Sequence, residues 1–178
     1  TKPCPLPQNK GLYAWYFTNI PPLVISEGCI KKDEKILLYA GISPKDENSK
    51  QNLRKRITNH FRGNAEGSTL RLTLGTLLSR ESDFPLRRVG SGNRKTFTHL
   101  GEQWLDKWMD INAYVCWVEY EKPWEVEKEI IENVSLPLNI QDNDHHPFAK
   151  TLSKISTGKK ENKFGINRKL FLEIIKIH

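Results

Sequence analysis

Six polar residues stand out, and among them a Tyr, an Arg, a His and one carboxylate are of the types that could cleave a phosphodiester. Tyr13 and Tyr39 sit in two apolar runs, with Gly11 two residues before the first and Gly41 two after the second. Arg56 and His60 are four positions apart, which puts them on one face of a helix. Glu127 lies early in an acidic segment, and Asn139 follows it by 12 residues. A lone carboxylate such as Glu127 can hold a hard cation, Mg²⁺ or Mn²⁺, that keeps most of its waters and takes further ligands from phosphate. An arginine neutralises charge on a transferring phosphate, and a tyrosine or histidine can orient or deprotonate the attacking water. Singly, each has an ordinary explanation. Strand tyrosines pack with a wet hydroxyl, an Arg–His pair on a basic helix faces solvent, and Glu127 is one of four glutamates from Glu125 to Glu132. Together, a Tyr, an Arg, a His and one carboxylate would form a phosphodiesterase kit.

The elements that must position these residues are legible from periodicity. Gly11–Phe17 (GLYAWYF) reads as a strand, and Lys35–Ala40 (KILLYA) as a second that Gly41 ends. After a polar loop from Pro44 to Ser49, Leu53, Ile57 and Phe61 recur at helical spacing. They predict a helix with Ser49 as N-cap, running to Arg62 and stopping at Gly63. Leucines from Ser68 to Leu78 give a second helix capped by Ser68 or Thr69. Pro85–Phe97 reads as a basic hairpin or mobile loop, followed by an amphipathic helix capped near Thr98 and bearing Trp104, Leu105, Trp108 and Met109. Ala113–Tyr120 alternates as a third strand. Pro123 suits a first helical position, and one helix is expected from Trp124 to Val134. Its stripe is Val126, Ile130 and Val134, with Glu127 at the edge and Glu125, Glu129 and Glu132 turned largely to water. Pro147–Ile155 and Asn167–Ile177 are further candidate helices. The expected class is α+β, a small three-stranded antiparallel sheet flanked by helices.

Composition narrows the function. The chain has 178 residues, formal charge +7 and five tryptophans, enough for one domain with an aromatic core. No apolar run approaches the roughly 18 residues of a membrane span. Cys4, Cys29 and Cys116 are odd in number and match no zinc-finger spacing, which suits a reducing compartment. Thr1 fits removal of an initiator Met and no signal-peptide pattern follows, so a cytoplasmic protein is expected. Charge is segregated: residues 1–44 carry +2, 45–100 carry +7, 101–149 carry −8 and 150–178 carry +6. Cationic blocks around an acidic one suit a protein that meets a polyanion while keeping carboxylates for another task.

The tripeptides Gly11-Leu12-Tyr13 and Tyr39-Ala40-Gly41, then Leu53, Arg56 and His60 on one helix, then Glu127 and Asn139, resemble the GIY-YIG nuclease superfamily. The resemblance spans residues 11–139. It implies that the tripeptides lie on two strands of a three-stranded sheet. It further implies that Tyr13 and Tyr39 are the two family tyrosines, Arg56 the catalytic arginine and Glu127 the metal ligand. His60 is similar to the additional histidine of the restriction-enzyme branch, and Asn139 to the asparagine that closes the motif set. Both middle positions depart conservatively, Leu12 and Ala40 standing where the family name has isoleucine.

The implied function is a Mg²⁺- or Mn²⁺-dependent DNA endonuclease with a one-metal mechanism, acting as a monomer or homodimer. In it Tyr13, or His60 acting with it, activates water, while Tyr39 and Asn139 position these groups. The alternative is a non-catalytic nucleic-acid-binding module that keeps the fold. The expected nuclease domain is 1–141, with an inserted helix and basic hairpin in 63–111, and a basic helical extension, 142–178, is expected to pack on it. Lys45, Arg87, Arg88, Arg94, Lys95, Lys159, Lys160 and Lys163 are the expected DNA contacts.

Overall fold

In the computed structural model, which describes residues 6–91 and 95–139, the first strand, β1 (Gly11–Phe17), is buried along its whole length. It is central in an antiparallel sheet whose other strands are β2 (Lys31–Lys32), β3 (Lys35–Ser43) and, near the end of the described chain, β6 (Ala113–Glu119). Between β3 and β6 come helices α1 (Leu53–Arg62), α2 (Thr69–Leu77) and α3 (Ser79–Ser82), and then a hairpin of β4 (Arg87–Arg88) and β5 (Lys95–Thr96). Helix α4 (Thr98–Asn112) leads into β6, and α5 (Glu127–Asn133) follows a 3₁₀ turn at Pro123–Glu125. The fold is α+β, as expected.

Both faces of β1 are covered, which is why its sequence is aromatic rather than alternating. Tyr13, Trp15 and Phe17 face a core with Leu53 and Ile57 of α1, Leu70 and Leu74 of α2, and Leu105 and Met109 of α4. Leu12, Ala14 and Tyr16 face the other way, against Val126, Ile130 and Val134, the stripe expected around α5.

Several boundaries differ from expectation, each for a local reason. The sheet has four strands, because two exposed residues, Lys31 and Lys32, pair with the start of β3 at an edge. Gly41 does not end its strand: it pairs with Tyr13, and β3 continues to Ser43. Helix α1 is capped by Asn52, not Ser49. The Ser49 hydroxyl instead accepts from the Gln51 N–H, while Asn52 Oδ1 accepts from Lys55 N at 2.9 Å. The segment before β1 supplies two more acceptors, since Leu53 N donates to Asn9 O and Arg54 N to Pro7 O. The helix expected over 124–134 is divided, because Val126 has φ −114°, too extended for a continuous α-helix. The candidate helices Pro147–Ile155 and Asn167–Ile177 and the extension 142–178 lie outside the described residues. No helix among the described residues is long and apolar enough to cross a membrane.

Among the described residues, the charged side chain that is fully buried is Arg71, on α2. Its Nε and Nη2 donate to Glu102 Oε2 at 3.1 and 2.8 Å, and Nη1 to Asp106 Oδ1 at 2.7 Å, both acceptors on α4. Nη1 also reaches His60 O and Phe61 O, carbonyls in the last turn of α1. A single guanidinium thus joins three helices and caps one of them. Arg71→Met should lower stability by about 3–5 kcal/mol, because Glu102 is left charged in the interior. Adding Glu102→Gln should restore part of the loss. Urea midpoints of the two variants check both statements.

Candidate active site

The sheet supplies one half of the site. In antiparallel register Tyr13 faces Gly41 and Trp15 faces Tyr39, but Tyr16 then faces Leu37, so Leu38 is an extra residue in a bulge. Tyr13 and Tyr39 share one sheet face, their ring centroids 6.4 Å apart. Gly41 leaves the space that the Tyr13 hydroxyl occupies: a methyl group there would lie 2.5 Å from Tyr13 Oη. Gly11 is required similarly, since a methyl group would meet Val118 O on β6 and Leu53 Cδ1.

Helix α1 supplies the other half. Tyr13 Oη lies 2.9 Å from His60 Nε2, and Arg56 Nε donates to the same oxygen at 3.3 Å. Arg56 is steadied by a second bond, from Nη1 to Gly67 O at 3.2 Å. His60 is fully buried, with Nδ1 2.7 Å from Ser68 Oγ and the rings of Trp15 and Tyr39 edge-on beside it. Tyr39 Oη pairs with Thr69 Oγ1 at 3.2 Å.

Glu127 opens α5 and is half-buried, lining a cavity with Leu12, Tyr13, Ala40, Gly41, Ile42, Ile130 and Ile131. Its neighbours are disposed differently: Glu125 is exposed and pairs with Lys122, and Glu132 pairs with Lys128 along the helix. Glu129 and Glu132 are half-buried, less turned to water than expected. Asn139 does not line the cavity. Its amide takes the place of a neighbouring strand, accepting from Ala40 N at 3.0 Å and donating to Ala40 O at 2.8 Å. It therefore fixes the backbone just before Gly41. Lys45, Arg87, Arg88 and Lys95 are exposed, whereas Arg94, Lys159, Lys160 and Lys163 lie outside the described residues.

The electrostatics follow from burial among cations. Burial, then the nearby Tyr39, holds the Tyr13 phenol well above its usual ionisation range, with Arg56 pulling the other way. Burial, then Arg56 and Arg71, holds His60 well below the usual histidine range, so it is a neutral imidazole at neutral pH.

The family model described as the GIY-YIG catalytic domain matches residues 11–160, most of the chain. The chain belongs to the GIY-YIG family. No curated protein and no solved structure matches it. The GIY-YIG domain is a nuclease domain, and it implies a nucleic-acid substrate. Of the six residues singled out in the sequence, Tyr13, Tyr39, Arg56 and His60 converge on one cluster. Glu127 shares the cavity with Tyr13, and Asn139 acts on the strand behind it. Sequence reading missed Ser68 and Arg71 as partners of this cluster. The available signal was that Arg71 is the lone charge in the apolar run Ser68–Leu78.

Burial of His60 sets a pH dependence for folding. Its folded-state affinity for a proton is depressed, so the unfolded chain binds the proton more readily. Stability should therefore fall as pH drops below about 6.5, the unfolded value, at up to about 1.4 kcal/mol per pH unit. In His60→Gln that slope should largely disappear, which urea titrations between pH 5 and pH 8 would measure.

Proposed function

We propose that this GIY-YIG chain is a divalent-metal-dependent DNA endonuclease that hydrolyses phosphodiester bonds by a one-metal mechanism. The reading rests on one observation: Tyr13, Arg56 and His60 are in hydrogen-bond contact beside a cavity that Glu127 also lines. Among the described residues no group of three or more His, Cys, Asp and Glu side chains forms a cage for a metal. One carboxylate oxygen donor suits Mg²⁺ or Mn²⁺ nonetheless, since such cations retain waters and lean on substrate phosphates. Glu127 is the residue that would hold the ion, and the bound ion would neutralise charge on the phosphate.

The protein groups divide the remaining work. Arg56, half-buried and pinned by Gly67 O, presents a cation to the phosphate without having to be ordered first. Tyr13 orients the attacking water and, once its own proton has left toward solvent, accepts the water's proton. Arg56 favours that ionisation against the effect of burial. Tyr39 and Asn139 hold the sheet side of the site in place.

In domain terms, we take residues 1–141 as the nuclease module, with 63–111 as an elaboration and 142–178 as a basic extension. The exposed cations Arg87, Arg88 and Lys95 on the short hairpin suit backbone contacts to DNA.

Cleavage of plasmid DNA should require Mg²⁺ or Mn²⁺ and stop with EDTA. Glu127→Gln should abolish it with little loss of stability, while Glu125→Gln stays within a few-fold of the parent. Tyr13→Phe should lower the rate by about 10²–10⁴, the usual worth of a proton-transfer group. Arg56→Lys should rescue Arg56→Ala poorly, because an ammonium cannot reproduce the planar fork. Normal cutting by Glu127→Gln would sink the metal assignment.

Neutralising Arg87, Arg88 and Lys95 together should weaken DNA binding and reduce the salt slope of log K by about 0.9 per lost phosphate contact. Fluorescence anisotropy across a salt series measures it. An unchanged slope would leave the hairpin without a part in recognition.

A further inference from the structure

Ser68 holds a position that the family motifs do not address. It is fully buried and caps α2, its Oγ accepting from Arg71 N at 3.1 Å. The same oxygen lies 2.7 Å from His60 Nδ1, and it has no other polar partner among the described residues. A hydroxyl has one hydrogen to donate. The Arg71 N–H has already taken an acceptor position, so the hydrogen of Ser68 has one destination, the lone pair of His60 Nδ1.

The hydrogens of the neighbouring groups follow from this. His60 is a neutral imidazole with one N–H. If that hydrogen were on Nδ1, it would point at Ser68 Oγ, and the Ser68 hydroxyl would be a buried donor with no acceptor, a cost of about 1–3 kcal/mol. With the hydrogen on Nε2, Ser68 donates to Nδ1 and Nε2–H donates to Tyr13 Oη, 2.9 Å away. Tyr13 Oη then accepts from both His60 and Arg56 Nε. The one hydrogen left over belongs to the Tyr13 hydroxyl, which has both the Tyr39 hydroxyl and the cavity beside it as outlets. Ser68 has no such outlet.

We infer that Ser68 fixes the tautomer of His60 with its hydrogen on Nε2, so that His60 serves Tyr13 as a hydrogen-bond donor and not as a base. Ser68 is a positioning residue. It turns the Tyr13 O–H away from His60 and, with Arg56, leaves two donors facing the oxygen when that proton departs. The catalytic half of this inference rests on the nuclease reading above; the tautomer itself does not.

Two measurements test it. The first is the imidazole ¹⁵N chemical shifts of His60 in the intact protein at neutral pH. Nε2 should have the shift of a protonated nitrogen and Nδ1 that of a lone-pair nitrogen. The reverse pattern overturns the inference without reference to cleavage. The second is steady-state DNA cleavage by Ser68→Ala and Ser68→Thr. Loss of the hydroxyl should lower kcat on the order of tenfold, as for groups that orient a working histidine, with KM within about twofold. Threonine, which keeps both the hydroxyl and the cap, should restore most of it. An unchanged kcat in Ser68→Ala, or no rescue by threonine, removes the positioning role. If the parent protein cleaves no DNA with Mg²⁺ or Mn²⁺, the nuclease reading fails, and the ¹⁵N shifts still decide the tautomer.

Discussion

The buried guanidinium of Arg71 constrains more of this molecule than any other group. Removing an arginine from water is costly, and the cost is offset here only because each of its nitrogens has an acceptor. Those acceptors belong to different elements: two carboxylates and a carbonyl on α4, and two carbonyls at the end of α1. Shifting either helix would break bonds to a buried charge, so the arrangement of the three helices is held tightly. His60 and Phe61 carry the carbonyls that Arg71 grips, so the constraint acts on the backbone that presents His60. Arg56 lies one turn earlier on the same helix. Glu102 is saturated from its other side, Oε1 accepting from Ala65 N and Thr96 Oγ1. The clamp thus extends to the loop after α1 and to the hairpin.

Against this fixed helical half stands a sheet half with its own constraint, the β1–β3 register. Strict alternation would place Leu37 and Tyr39 on the same face. The bulge instead sends Leu37 toward α5, and Leu38 and Tyr39 toward the helices. Beyond it, Asn139 and Leu138 bond to the backbone of β3 where β2 no longer covers it, so the strand stays regular through Gly41. Within the core that the two halves share, Tyr13 Oη lies in hydrogen-bond reach of both His60 and Arg56. Two rigid halves packed on one core, with their polar contacts converging on that oxygen, pre-set a reactive group.

The sequence exposes whatever has a local signature. The extent of β1, the end of α1 at Gly63, a cap at Ser68 or Thr69 and the stripe Val126, Ile130, Val134 follow from periodicity and capping chemistry, and the structure agrees, with Ser68 as the cap. What escapes depends on partners distant in the chain. Ser49 looks as good a cap as Asn52 until Asn9 and Pro7 arrive to accept from α1. Gly41 looks like a strand end because the residue that needs its empty side, Tyr13, is 28 positions away. Asn139 is recognisable as a member of a motif, yet its work of replacing a strand beside Ala40 shows only in three dimensions. The bulge at Leu38 has no mark in KILLYA at all.

The segregated charge finds a physical account in the same contacts. Residues 101–149 carry −8, which suggests an acidic face that would repel a polyanion. Part of that charge is offset by two cations from outside the segment. Glu102 and Asp106 are committed to Arg71 and Asp110 to Arg62, while Glu125 and Glu132 pair with Lys122 and Lys128, which the −8 already includes. The surface pairs add little stability, but each one cancels field at short range. Glu127 is distinguished from them by where it lies and not by its charge: it shares a cavity wall with Tyr13 and Gly41. In the proposed reaction, Arg56 would meet the phosphate on the helical side of Tyr13. Glu127 would meet a hard cation on the cavity side, where a carboxylate oxygen is wanted.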